Sequence, residues 1–104
     1  MITAEKLVEL SKYLTTIHHV KGRLRVRVSP KIKEQGKDIS ISDIEELPQK
    51  IDGIKKIKIN KIIGSITIEY DNNIFPKELW DDLIDGKNSQ EVAQIINRLY
   101  KENI

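Results

Sequence analysis

The chain has 104 residues, 38% hydrophobic and 33% charged, which suits one globular domain with a modest core and argues against disorder throughout. It has no cysteine, so disulfides, thiolate metal sites and cysteine nucleophiles are excluded. No stretch approaches the roughly 18 consecutive apolar residues of a membrane span. Glu5, Lys6, Glu9 and Lys12 interrupt the first 17 residues too often for a signal-peptide apolar region, so the expected location is cytoplasmic. The net charge is only +2 but unevenly spread. From Val20 to Lys37 seven bases (Lys21, Arg23, Arg25, Arg27, Lys31, Lys33, Lys37) face Glu34 alone, giving +6. From Glu69 to Glu91 seven acids (Glu69, Asp71, Glu78, Asp81, Asp82, Asp85, Glu91) face Lys77 and Lys87, giving −5. Such a dipole steers an anionic partner to one side or promotes head-to-tail association.

Thr3 is placed to cap a first helix over residues 1–14, with Leu7, Leu10, Leu14 and Ile17 at three- and four-residue spacing. The β-branched run Thr15-Thr16-Ile17 ends it. A first strand is expected from about Ile17 to Val28, stopped by Ser29-Pro30 because proline removes a ladder donor. Residues 31–38 read as an exposed basic loop. Ser42 with Glu45 forms a capping-box pattern for a short helix bearing Ile44, Leu47 and Ile51, kinked or tightened by Pro48 and ended by Asp52-Gly53. Strands follow at Ile54 to Asn60 and Ile66 to Tyr70, joined through Gly64-Ser65. Pro76 suits the start of a helix with Phe75, Leu79, Trp80 and Leu83 as apolar contacts, and Gly86 its end. Asn88 with Glu91 is positioned to cap a last helix over 88–102 bearing Val92, Ile95, Ile96 and Leu99.

The order α-β-α-β-β-α-α predicts an α+β fold: a ferredoxin-like split β-α-β sandwich with a three-stranded antiparallel sheet, a core over residues 17–84 and extra N- and C-terminal helices, all in a single domain of residues 1–104. A fourth strand is not evident. Two amphipathic terminal helices competing for one sheet face leave surplus apolar surface, which motivates a homodimer.

His18-His19-Val20-Lys21-Gly22-Arg23-Leu24-Arg25-Val26 resembles the His-x-x-x-Gly-Arg-x-Arg opening of cysteine-free heavy-metal-associated-like domains. Asp52-Gly53-Ile54 is similar to the Pro-Gly-Val that ends their first helix, with Asp52 departing from the proline. Gly64-Ser65-Ile66-Thr67-Ile68-Glu69-Tyr70-Asp71 resembles their third strand. This likeness, covering about Ile17 to Ile84, implies the ferredoxin-like fold and an accessory role in metal handling, often beside a metal-transporting P-type ATPase. The metallochaperone branch places Met-x-Cys-x-x-Cys after its first strand to bind a soft cation. Here that region is Ser29-Pro30-Lys31-Ile32-Lys33, with no thiol and two lysines, which excludes copper chaperoning by that chemistry.

Two candidate sites follow from the residues. As a strand, Lys21 to Val28 puts Arg23, Arg25 and Arg27 on one face and Leu24, Val26 and Val28 on the other, and the second strand adds Lys56 and Lys58 to the wet side. That face is a candidate partner or anion surface. Nucleic acid is disfavoured, because no aromatic stands among those bases to stack on. His18 and His19 are the candidate metal ligands, for iron or another divalent ion, although neighbours on a strand point to opposite faces. The expected arrangement is one histidine packed and the other solvated, with no resident cofactor. Asp81-Asp82 reads as an exposed acidic helix face, and no phosphate loop, nucleophile elbow or His/Glu helix pair is present. The function expected is therefore a non-enzymatic accessory or adaptor of metal homeostasis, cytoplasmic or at the cytoplasmic face of a membrane. It would act through Arg23, Arg25, Arg27, Lys56 and Lys58 on a protein partner such as a P-type ATPase or a second copy. A histidine-dependent metal-binding module is the alternative, and nucleic-acid binding a weaker one.

Overall fold

Gly22 decides the topology. Its φ of +92° lies in the left-handed region that glycine alone enters freely, and it turns the chain back at the point where one long strand was expected. The computed structural model describes residues 4–35 and 39–101, and within them the segment is a hairpin: β1 (Leu14–Val20) pairs antiparallel with β2 (Arg23–Val28) across Lys21-Gly22. The sheet consequently has four strands, not three. The missing strand lay inside the overlong first one, and a 12-residue strand interrupted by glycine is the sign of a turn.

The remaining strands are β3 (Ile54–Asn60) and β4 (Ser65–Tyr70), and the order across the sheet is β1-β2-β4-β3. Every neighbouring pair is antiparallel, so β2 and β3 run in the same direction with β4 between them. Alternation sorts the two faces. Leu24, Val26, Ile66, Ile68 and Tyr70 are buried, whereas Arg23, Arg25, Arg27 and Glu69 are exposed.

The first helix, α1, spans Ala4–Ser11; the expected cap, Thr3, lies outside the described residues. Leu14 already belongs to β1. After β2 comes one helical turn, α2 (Ile32–Gln35), where a loop was expected, while positions 36–38 fall outside the described residues. The capping box forms two residues earlier than Ser42 and Glu45 suggested. Ser40 Oγ accepts from Asp43 N at 3.1 Å, and Asp43 Oδ2 accepts from Ser40 N at 3.2 Å. Hence α3 is Ile41–Glu45, and Pro48 sits in the first turn of a separate α4 (Leu47–Lys50). Proline cannot donate to the i−4 carbonyl but is tolerated in a helix's first turn, so the helix breaks ahead of Pro48 and restarts rather than bending.

Two longer helices close the fold: α5 (Lys77–Asp85) and α6 (Ser89–Leu99). Pro76 is the N-cap of α5 rather than its first residue. Asn88 precedes α6 with a left-handed φ of +52° and makes no side-chain cap; its amide instead points to Asp82 Oδ2 at 3.5 Å. The helices bury their apolar stripes in one core with the inner sheet face: Leu7 and Leu10 from α1, Leu79, Trp80 and Leu83 from α5, Val92 and Ile96 from α6. Both terminal helices thus pack within the molecule, although Ile17 and Ile95 of the expected stripes remain exposed. Phe75 and Trp80 stack with centroids 4.0 Å apart and planes at 18°, and Tyr70 tilts against Trp80 at 5.6 Å. The end of α6 is tied to the segment before β3, with Asp52 N donating to Leu99 O at 2.7 Å and Lys101 N to Lys50 O at 2.6 Å.

Gly53, between α4 and β3, has φ +94°, and a Cβ there would fall 2.9 Å from Ile74 Cγ2 and 3.0 Å from Phe75 Cβ. Gly53→Ala is therefore expected to destabilise the fold by about 1–2 kcal/mol from backbone strain alone, with crowding in addition. Urea denaturation checks this: an unchanged midpoint would show that this turn tolerates a side chain.

Candidate functional site

The outer sheet face is built by register. Arg23 is opposite Glu69, which is opposite Lys56; Arg25 is opposite Thr67, which is opposite Lys58; Arg27 is opposite Ser65. Cross-strand partners share a face, so the five bases expected to line one surface stand together on the solvent side, and all five are exposed. None forms an ion pair within 4.0 Å among the described residues, although Glu69 lies between Arg23 and Lys56. Arg23, Arg25, Lys58 and Thr67 also line a shallow depression of about 530 Å³, joined by Lys61, which the sequence reading did not include. Tyr70, Phe75 and Trp80 offer that face no stacking ring, because all three are in the core.

The two histidines part company, and a β-bulge explains how. Up to Thr16 the β1 residues pair one-to-one with β2; then the register shifts, so that Thr16 faces Val26 but His18 faces Arg25. Ile17 is the extra residue. A one-residue slip reverses which side chains face the core. His18 therefore joins the outer face beside Arg25, and His19, opposite Leu24, turns inward with its side chain only 4% exposed.

Inside, both ring nitrogens of His19 are engaged. Nδ1 lies 2.8 Å from Asp81 Oδ1 and Nε2 lies 2.7 Å from the Tyr70 hydroxyl. An ionised carboxylate only accepts, so Nδ1 carries the proton and donates to Asp81, and in the neutral ring Nε2 accepts from Tyr70. Lys77 Nζ donates to Asp81 Oδ2 at 3.0 Å, one turn away on α5. Burial pushes the Asp81 carboxyl up, but the hydrogen bonds from Lys77 and His19 outweigh it and hold it below the ordinary value of 3.8. The hydrogen bond to Asp81 pushes the Lys77 ammonium up, and burial pushes the Tyr70 phenol up.

Asp81 was expected to belong to an exposed acidic helix face; it is half-buried and links α5 to β1. Adjacent positions in sequence gave no sign of this, because the partner lies 62 residues away. The imidazoles of His18 and His19 occupy opposite faces of the sheet, so they do not converge on one ion, and a metal at His19 would have to displace Asp81 or Tyr70. Among the described residues, no three His, Asp or Glu side chains are grouped to hold a metal. Nor does the region after β2 fit a soft cation: Ser29 Oγ accepts from Lys31 N at 3.3 Å, and the neighbours are Lys31 and Lys33.

Residues 7–101, most of the chain and including both the cationic face and the His19 cluster, match the heavy metal associated domain 2 family. The chain belongs to that family, which points to a role in metal handling. No curated protein and no solved structure matches it. No helix among the described residues is long and apolar enough to cross a membrane.

His19→Ala leaves the Tyr70 hydroxyl and the Asp81 carboxylate without their shared partner, with an expected loss of about 2–3 kcal/mol. Asp81→Asn keeps the shape and removes the charge. A carboxyl whose folded pKa is depressed contributes stability above its unfolded value and loses it as pH falls through the folded one. The stability gap between the parent chain and Asp81→Asn should therefore be full at neutral pH and shrink below about pH 4. Thermal melts across that range check it; a gap that stays constant down to strong acid would mean the carboxylate's charge contributes nothing.

Proposed function

We propose that this chain is a non-enzymatic adaptor of metal homeostasis that works by docking its cationic sheet face on an acidic protein partner, a metal-transporting P-type ATPase being the partner class the family favours. The observation carrying this reading is that Arg23, Arg25, Arg27, Lys56 and Lys58 stand exposed on one sheet face without ion pairs among the described residues. Five bases against Glu69 leave this face a net positive surface that complements an acidic partner. Planar guanidinium groups suit bidentate pairing with carboxylates, and three of the five bases are arginines. Absence of cysteine from the sequence and the lysines after β2 argue for an adaptor rather than a carrier of soft metal. The arrangement of β2, its helical connection, β3 and the intervening β4 supports the ferredoxin-like reading, with β1 taking the position of the closing strand. A cytoplasmic site of action fits this proposal.

The test is a pull-down of the cytoplasmic domains of a metal-transporting P-type ATPase from the same cell. Arg25→Glu, central on the face and outside the core, should reduce capture about tenfold, and raising salt from 50 to 200 mM should weaken the parent complex. Capture that Arg25→Glu leaves undiminished rejects the docking face. Metal titration of the parent chain against His18→Ala and His19→Ala runs alongside: uptake abolished by either variant would replace the adaptor reading with a histidine-dependent metal module.

A further inference from the structure

The turn between β3 and β4, at one end of the cationic face, carries apolar surface that the core does not use. Ile62 is 98% exposed and Ile63 52%. Their outward pose is built in: Asn60 Oδ1 accepts from the backbone N–H groups of both Ile62 and Ile63 at 3.1 Å, and Gly64 N donates to Asn60 O at 2.8 Å. A turn tip held by an Asx arrangement has room for polar side chains, yet this one presents two β-branched aliphatics. Beside it runs an apolar groove of about 800 Å³ between the turn, the end of β2 and the start of α3, where Ile41 is 45% exposed. Ile59 lines its wall.

The charges around this surface have one sign. Arg27, Lys33 and Lys61 line the groove, and no acid does among the described residues. Contiguous exposed aliphatics with a charged border mark an interaction surface. Protruding aliphatics ringed by cations complement a medium that is apolar within and anionic at its surface. Apolar side chains enter the acyl boundary while lysine and arginine remain at the phosphates. A protein groove would have to accommodate Ile62 standing almost wholly clear of its own molecule, whereas a fluid bilayer closes around such a tip.

We propose that this end of the molecule docks on an anionic membrane surface, with Ile62 and Ile63 inserted and Arg27, Lys33 and Lys61 at the headgroups. The proposal does not rest on the adaptor reading: Arg27 and Lys61 border both surfaces, but Ile62 and Ile63 carry this one.

Co-sedimentation of the full chain with phosphatidylcholine vesicles, with and without about one third phosphatidylserine, tests it. Pelleting is expected only with the anionic vesicles and should fall as salt rises. The double variant Ile62→Asp, Ile63→Asp should lower the partition coefficient at least about tenfold, the scale expected from losing the burial of a large aliphatic side chain. Both residues are exposed, and a thermal melt matching the parent establishes that the variant folds. Absence of pelleting overturns the proposal. So does pelleting that the double variant retains, because adsorption would then come from the arginine face. A dimer that Ile62→Asp splits, with no vesicle affinity, also overturns it and gives the surface to a second copy.

Discussion

One imidazole, clamped at both nitrogens, holds three distant parts of the chain in register. His19 reaches Asp81 on α5 and Tyr70 at the end of β4, and Tyr70 in turn leans on Phe75 and Trp80. The clamp exists because Ile17 is bulged; were Ile17 paired one-to-one, strand parity would send His19 into water and His18 into the core. A buried polar cluster is costly unless every member is paired, so these hydrogen bonds specify one alignment of β1 on the rest of the sheet. Slipping β1 by a residue would place Arg25 and Leu24 opposite the wrong neighbours and leave the Asp81 carboxylate without its imidazole partner.

That alignment separates the functions of the two sheet faces. The inner face is aliphatic and aromatic and closes on α1, α5 and α6; the outer one gathers charge from three strands. The acids of α5 do not neutralise the outer bases. Asp81 is committed to His19 and Lys77, on the helical side. The charge asymmetry of the sequence thus becomes in part a spatial one, with five bases and Glu69 on the open sheet and Asp81 turned to the helical side.

Strand alternation at Ile57-Lys58-Ile59 and Arg23 to Val28, and the periodic apolar residues of α5 and α6, were legible because each depends on a local repeat. What escaped depends on backbone geometry or on distant contacts. The Lys21-Gly22 turn was hidden because the alternation of bases and aliphatics continues on its far side without interruption. The glycine was the available signal. The capping box forms at Ser40 rather than Ser42; each serine has an acid three residues on, Asp43 or Glu45, so the local pattern did not choose between them. For Asp81, Lys77 four residues earlier marked an ion-pair position that Asp82 lacks, but nothing local pointed to His19, 62 residues away. On the candidate face, the five bases were readable from parity alone, but Lys61 was not, since it lies beyond the end of the alternating strand.

The position of β4 has a consequence for how the chain is made. It is the last strand to leave the ribosome, yet it fills an interior slot of the sheet, hydrogen-bonded on both sides to strands already synthesised. Until it emerges, the β1–β2 hairpin and β3 each expose an unpaired edge and an uncovered apolar face, an invitation to pair with the wrong chain. Lys55, Lys56 and Lys58 on β3, with the arginines of β2, place like charge on the strands that must wait. The residues that decorate the finished surface also serve as gatekeepers during synthesis, so neutralising them would lower the yield of native molecules even where the completed fold is equally stable.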